Sequence, residues 1–279
     1  MAIRDVLLAL TSYPEPTPVS VVEDAVSFAS SLGCHIAAIA CETHVQVPGT
    51  FLSSSLVNVG GMAASEAHKS LNNARALLAA FESGAEKAGL SHERVLERCL
   101  SHQVPGLFVQ YARLRDLTIV SVPESYDQWY AETVIFESGK PTLVLPERPR
   151  ARPFDVKTVM VAWDFSRAAA RAIADAIPIL EKAREVRIVT VTNEKVLDSR
   201  HSAEELAKNL SRHGIDVVLD KVDAAGRPIG KVLETHAASC KADILVMGAY
   251  GHSRFREFIL GGATMSLLSK PPIPILFSH

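Results

Sequence analysis

The strongest constraint on this chain is that one pattern occurs in it twice. Val6-Leu7-Leu8-Ala9-Leu10 ends at Thr11-Ser12, and Thr158-Val159-Met160-Val161-Ala162-Trp163 ends at Asp164-Phe165-Ser166. An unbroken apolar run that stops at polar turn formers is what a strand buried on both faces requires. After each run the same succession follows, the signature of an internal repeat. An amphipathic segment (19–32; 167–183) leads to a β-rich run (35–40; 186–192), then a helix-like stretch (63–88; 203–213) and a third strand (94–100; 216–222). A helix opened near Pro105 or Pro228, a fourth strand (117–122; 243–247) and a Pro-led closing strand (141–145; 274–277) complete each copy. Strands alternating with helices of this length build βαβ units with helices on both faces of a parallel sheet. The expected fold class is α/β, present twice, with five mainly parallel strands in each copy.

Between the copies, residues 146–153 hold three prolines and three arginines with almost nothing apolar, the composition of a linker. The expected domains are 1–148 and 154–279. The polar stretch 42–61 has no counterpart of equal length in the second copy and reads as a loop: a tolerated surface insertion first, a lid over a site second.

Composition narrows the function. A chain of 279 residues, 48% hydrophobic, can bury a sizeable core. Its 29 Lys+Arg against 31 Asp+Glu give a formal charge of −2, which lacks the basic footprint of a protein held on nucleic-acid phosphates. No apolar run approaches a membrane span, and Arg4 and Asp5 stand where a signal peptide needs apolar residues, so a cytoplasmic location is expected. Cys34, Cys41, Cys99 and Cys240 form no CxxC pair and have no His at metal-ligand spacing. Free thiols in a reducing compartment are expected, with no metal site.

The most specific string runs from Met247 to Thr264. Gly248 and Gly251 follow directly on the fourth strand of the second copy, and Gly261-Gly262 precede a short helix over 263–268. Glycines at such junctions permit positive φ and close approach of a ligand, and the N–H groups at a helix start favour an anion. A phosphate is the natural guest. In an open parallel sheet the crevice lies beyond the carboxyl ends of the strands, which would set this loop beside Asp164.

These residues resemble the universal stress protein family, and the whole chain is similar to its tandem members. The family's ATP-binding members carry GxxG, nine residues, then Gly followed by Ser or Thr; Gly248, Gly251 and Gly261 match, with 252–260 between the last two. The resemblance extends to Asp164, the family's adenosine contact, to Val191-Thr192, where the family reads adenine through main-chain groups, and to Gly226 and Pro228. It implies two flavodoxin-like domains packed as an intrachain pseudo-dimer, with the last strands, around Leu143 and Ile275, pairing across the domain or subunit contact. A homodimer of tandem chains through those strands is implied as well.

By this resemblance the second domain binds ATP or a related adenine nucleotide, with or without Mg2+. Ala162, Trp163, Asp164, Val191 and Thr192 would hold the adenosine, and Met247, Gly248, Gly251, His252, Arg254, Gly261, Gly262, Ala263 and Thr264 the phosphates. One departure stands out: the family's phosphate-contacting Ser or Thr falls at Gly262. Thr264 or main-chain N–H groups would have to compensate for a bond to a charged oxygen worth about 1.5–3 kcal/mol. In the first copy Thr11 replaces Asp164 and Val122-Pro123-Glu124-Ser125 replaces the glycine turn, which implies a degenerate domain kept for packing or partners.

Each feature also has a plain structural explanation. Asp164 beside Ser166 suits a helix N-terminus, Trp163 suits core packing better than stacking on adenine, and His252 suits a solvated loop as well as a phosphate contact. Lys140 and Lys231 lie in no P-loop, and no nucleophile or general base is nominated, so any activity is at most weak ATP hydrolysis. The expected role is a nucleotide-dependent regulator or adaptor of the stress response with an unknown protein partner. The alternatives are a nucleotide-free dimeric interaction protein of the same fold and, behind it, an adenylyl-transferring enzyme.

Overall fold

The computed structural model describes residues 2–44, 59–123, 129–148, 154–193, 203–249 and 262–279. The first half runs β1 (Asp5–Leu10), α1 (Val19–Leu32), β2 (His35–His44), α2 (Val59–Lys87), β3 (His92–Leu100), α3 (Val104–Ala112), β4 (Leu117–Val122), α4 (Trp129–Glu137) and β5 (Thr142–Pro146). The second repeats it as β6 (Thr158–Ala162), α5 (Arg167–Leu180), β7 (Glu185–Thr192), α6 (Ala203–Ser211), β8 (Val217–Asp223), α7 (Ile229–Ser239), β9 (Ile244–Gly248), α8 (Gly262–Ser269) and β10 (Ile275–Ser278). Both five-strand units expected from the sequence are present, and most element ends lie within a residue or two of the expected ones. The loop expected over 42–61 is shorter than that: residues 42–44 extend β2 and residues 59–61 open α2, while 45–58 lie outside the described residues.

Each half is a parallel sheet in the order β3-β2-β1-β4-β5 or β8-β7-β6-β9-β10. The two merge into one ten-stranded sheet because β5 and β10 pair antiparallel, with Leu276 opposite Leu143 and Phe277 opposite Thr142. This bears out the pairing of the last strands but corrects the expected route to a homodimer. Each of the two strands already has a neighbour on both sides, so neither offers an edge to a second copy. The sheet's edges are β3 and β8.

One core layer lies on the α1, α2, α5 and α6 side and the other on the α3, α4, α7 and α8 side, and each draws residues from both halves. Phe154, just past the linker, packs edge-on against Phe28 of α1 at 5.3 Å, and its carbonyl accepts the Ser27 hydroxyl at 3.2 Å. The four cysteines are free. Among the described residues no helix is long and apolar enough to cross a membrane.

The repeat persists at the level of single hydrogen bonds. Asp116, just before β4, accepts the N–H groups of Arg4 and Asp5 at 2.9 and 3.1 Å. Asp243, just before β9, accepts those of Lys157 and Thr158, both at 3.0 Å. In each half one carboxylate thereby satisfies the two amides at the start of the central strand, groups that cost free energy if buried without a partner. Replacing Asp243, which is 3% exposed, with Ala should lower stability by about 1.5–3 kcal/mol, and Asp243→Asn by less because it keeps an acceptor oxygen. Urea unfolding of the full chain measures both.

The second half also carries an ion network across its sheet. Arg187 on β7 donates through Nε and Nη2 to the two carboxylate oxygens of Asp220 on β8, at 2.8 and 2.9 Å, and through Nη1 to Glu185. His236 of α7 lies 2.9 Å from Asp220. Burial pushes the Asp220 carboxyl up, but the bonds from Arg187 and His236 outweigh it and leave it below its ordinary value of 3.8. A depressed carboxyl adds stability above its unfolded value, and that stability is lost as pH falls through the lower folded one. Stability measured against pH should therefore drop below 3.8 more steeply in the native chain than in Asp220→Asn.

Candidate functional site

The chain passes from β6 outward to β7 and β8, then crosses back to β9 on the other side of β6. Such a reversal opens a crevice beyond the carboxyl ends of the strands. Here the ends are Ala162-Trp163-Asp164, Val191-Thr192 and Met247-Gly248, so the topology brings these expected site residues to one end of the sheet. Gly251, His252, Arg254 and Gly261 lie outside the described residues.

At the end of β6 the chain turns sharply into α5. The exposed Asp164 accepts the N–H of Ser166 through Oδ1 at 3.0 Å, Phe165 takes φ +62°, and Ser166 caps α5 by accepting the Ala169 N–H at 3.0 Å. Asp164 thus shapes the turn, as its plain explanation holds, and also stands in solvent at the crevice. Trp163 packs against the core and lies 5.3 Å from the Phe165 ring, which supports its packing role. Its indole N–H and the Thr190 hydroxyl are buried without a hydrogen-bond partner among the described residues.

Gly248 has a cause that the sequence did not disclose. A Cβ there would stand 2.5 Å from the Ala168 carbonyl carbon and 2.6 Å from the Ala169 nitrogen, so only glycine lets the end of β9 lie against the first turn of α5. Gly262, in contrast, is exposed at the first position of α8, and a Cβ there would meet nothing within 4 Å. Thr264, the expected substitute for the missing hydroxyl, is 3% exposed and held inside the fold. Ala263 is half-buried, and Met247 is part of the core on the α7 and α8 side.

The end of β7 can be read from the ladder. Residues of a parallel strand bond alternately to its two neighbours. Val189 accepts the Trp163 N–H from the β6 side, and Thr192 accepts the Ala224 N–H from the β8 side, so the main chain of Val191 turns toward the β6 side, past the last residue of β6. Nearby, Asn193 and Ala225 donate to Asp223, and the Ala225 N–H, then the Asn193 amide, hold that carboxyl below its ordinary value.

In the first half the corresponding position is filled. The ladder registers make Cys41 the counterpart of Val191. The Cys41 carbonyl accepts the hydroxyls of Ser12 and Ser70, which lie 2.8 Å apart, and Ser70 accepts the Thr43 N–H at 2.9 Å. Asn73 of α2 donates to the Ser12 carbonyl at 3.1 Å. Ser12 and Ser70 are 2% and 0% exposed, and Thr11, the counterpart of Asp164, is bonded to Thr17. Sequence reasoning missed this plug; its one signal is a pair of polar residues, Ser70 and Asn73, three apart in an amphipathic helix.

Comparison with known proteins agrees with this fold. Residues 155–279 match the model of the universal stress protein family. Over its whole length the chain is similar to a universal stress protein from Archaeoglobus fulgidus DSM 4304, at 16% identity, 98% coverage of both chains and a TM-score of 0.71. It is also similar to a putative universal stress protein from Pseudomonas aeruginosa UCBPP-PA14, at 13% identity, 99% coverage of this chain and 93% of that one, and a TM-score of 0.59. At these identities the likeness is one of fold. No curated protein matches the chain significantly.

Gly248→Ala should cost about 1–3 kcal/mol of stability through overpacking against α5. Gly262→Ala, which meets open space, should stay within about 0.5 kcal/mol of the native chain. Urea unfolding of the two variants side by side tests the packing assignment.

Proposed function

Taking residues 155–279 as a universal stress protein domain, we propose that this half binds ATP or a related adenine nucleotide at the carboxyl ends of β6, β7 and β9, and that the chain acts as a nucleotide-dependent regulator or adaptor. What carries the reading is the contrast between the two crevices. The first half's counterpart of the adenine-reading main chain is satisfied by Ser12 and Ser70, whereas in the second half Val191 turns its main chain toward the space past β6, beside an exposed Asp164. The start of α8 at Gly262 adds main-chain N–H groups suited to a phosphate.

Within this site Asp164 would hold the sugar hydroxyls, the end of β7 the base, and the glycine-rich segment from Gly251 to Gly262 the phosphates, with Arg254 and His252 supplying positive charge. Mg2+, where it accompanies the nucleotide, would offset part of the phosphates' negative charge. No residue is assigned a catalytic role; the consequence of binding would be an altered surface around residues 249–262, offered to a partner.

Calorimetric titration of the full chain with ATP tests the proposal. Asp164→Ala should weaken binding, and Gly251→Val should weaken it far more than Gly106→Val, a change at an exposed helical position with open space around it. Gly262→Ser should strengthen it about tenfold or more by restoring a hydroxyl donor to a charged oxygen. No binding at millimolar ATP, or equal effects of the Gly251 and Gly106 changes, would favour the nucleotide-free interaction protein instead.

A further inference from the structure

We propose that Glu82, Glu86 and His92 bind a divalent transition cation of the zinc class, which clips the last turns of α2 to the first residue of β3. The site lies in the first half, apart from the nucleotide crevice. Glu82 and Glu86 are four residues apart on α2 and share one face, where two like charges repel and a cation between them relieves the repulsion. The chain then turns back through Gly89, at φ +66°, with the Gly89 N–H on the Glu86 carbonyl and the Leu90 N–H on the Ala85 carbonyl, both at 3.0 Å. That tight turn brings His92 to the same face: one ligand atom from each of the three residues lies within 4.8 Å of the others.

Contacts outside this trio prepare two of the donors. His92 Nδ1 lies 2.9 Å from the Leu90 carbonyl oxygen. A carbonyl only accepts, so Nδ1 carries the hydrogen and the neutral ring keeps its lone pair on Nε2. The ring also stands edge-on to the buried Phe81, with centroids 6.0 Å apart and planes at 81°. Fixing the tautomer and the ring plane by a backbone carbonyl is how proteins orient a ligating imidazole. Arg94 Nη1 holds Glu82 Oε2 at 2.9 Å, which orients that carboxylate.

The donor chemistry selects the ion. One imidazole nitrogen with two carboxylates suits zinc and its neighbours, whereas Mg2+ and Ca2+ take oxygen ligands. Three protein donors leave the remaining coordination to water.

The test is competition of the full chain with a chromophoric zinc chelator, read together with the thermal unfolding midpoint. The native chain should bind one Zn2+ at this site and unfold at a higher temperature with Zn2+ than with EDTA, a shift that equimolar Mg2+ does not reproduce. His92→Gln and Glu86→Gln should each weaken Zn2+ binding at least tenfold and abolish the shift. His44→Gln, which removes a histidine 2.8 Å from a carboxylate elsewhere in the first half, Glu42 on β2, should leave both unchanged. Glu86 is exposed, so its variant keeps the fold whatever His92→Gln does. Affinity within twofold of native in both variants, no stoichiometric Zn2+ binding, or loss of binding in His44→Gln would overturn the proposal.

Discussion

The antiparallel pairing of β5 with β10 is the contact on which the rest of this structure depends. A five-strand parallel unit ending in a short apolar strand has an exposed edge that attracts another strand. Here the two units satisfy each other, and a chain with two copies of a domain becomes one ten-stranded sheet with core layers that run through both halves. The charged outer strands β3 and β8 are left as its limits. Residues such as Glu93, Arg94, Glu97 and Arg98 on β3 suit an edge that should not recruit further strands.

Once joined, the halves share a framework but differ in what fills it. The framework is kept to the level of one carboxylate, Asp116 or Asp243, closing the start of the central strand. The carboxyl ends diverge because β2 runs on to His44 and α2 is 29 residues long, long enough to lay Ser70 and Asn73 over the end of β1. In the second half the helix after β7 is nine residues long and contributes no such plug among the described residues.

Much of the fold was legible in the sequence because strands buried in a parallel sheet leave continuous apolar runs, and such runs recurring at matching intervals in both halves admit few topologies. The site was legible only in outline. Asp164 and Gly248 could be placed at strand ends, but a glycine needed to let β9 touch α5 has the same letter as one that makes room for phosphate, and only the 2.5 Å approach to Ala168 tells them apart. The serine plug and the Glu82–Glu86–His92 face depend on where α2 lies over the sheet and how tightly it turns into β3, long-range facts that local periodicity does not encode.

The place of β10 has a consequence for biosynthesis. It lies in the middle of the sheet, yet it emerges from the ribosome after every strand it borders. Until then the edges of β5 and β9 that face β10 have no neighbour: that of β5 stands open from residue 146 onward and that of β9 from residue 248, so the nascent chain carries a sticky seam while its second half is made. Closing them takes a single strand of four residues, which makes the arrival of β10, rather than the completion of the first half, the moment at which this sheet loses its open apolar edges.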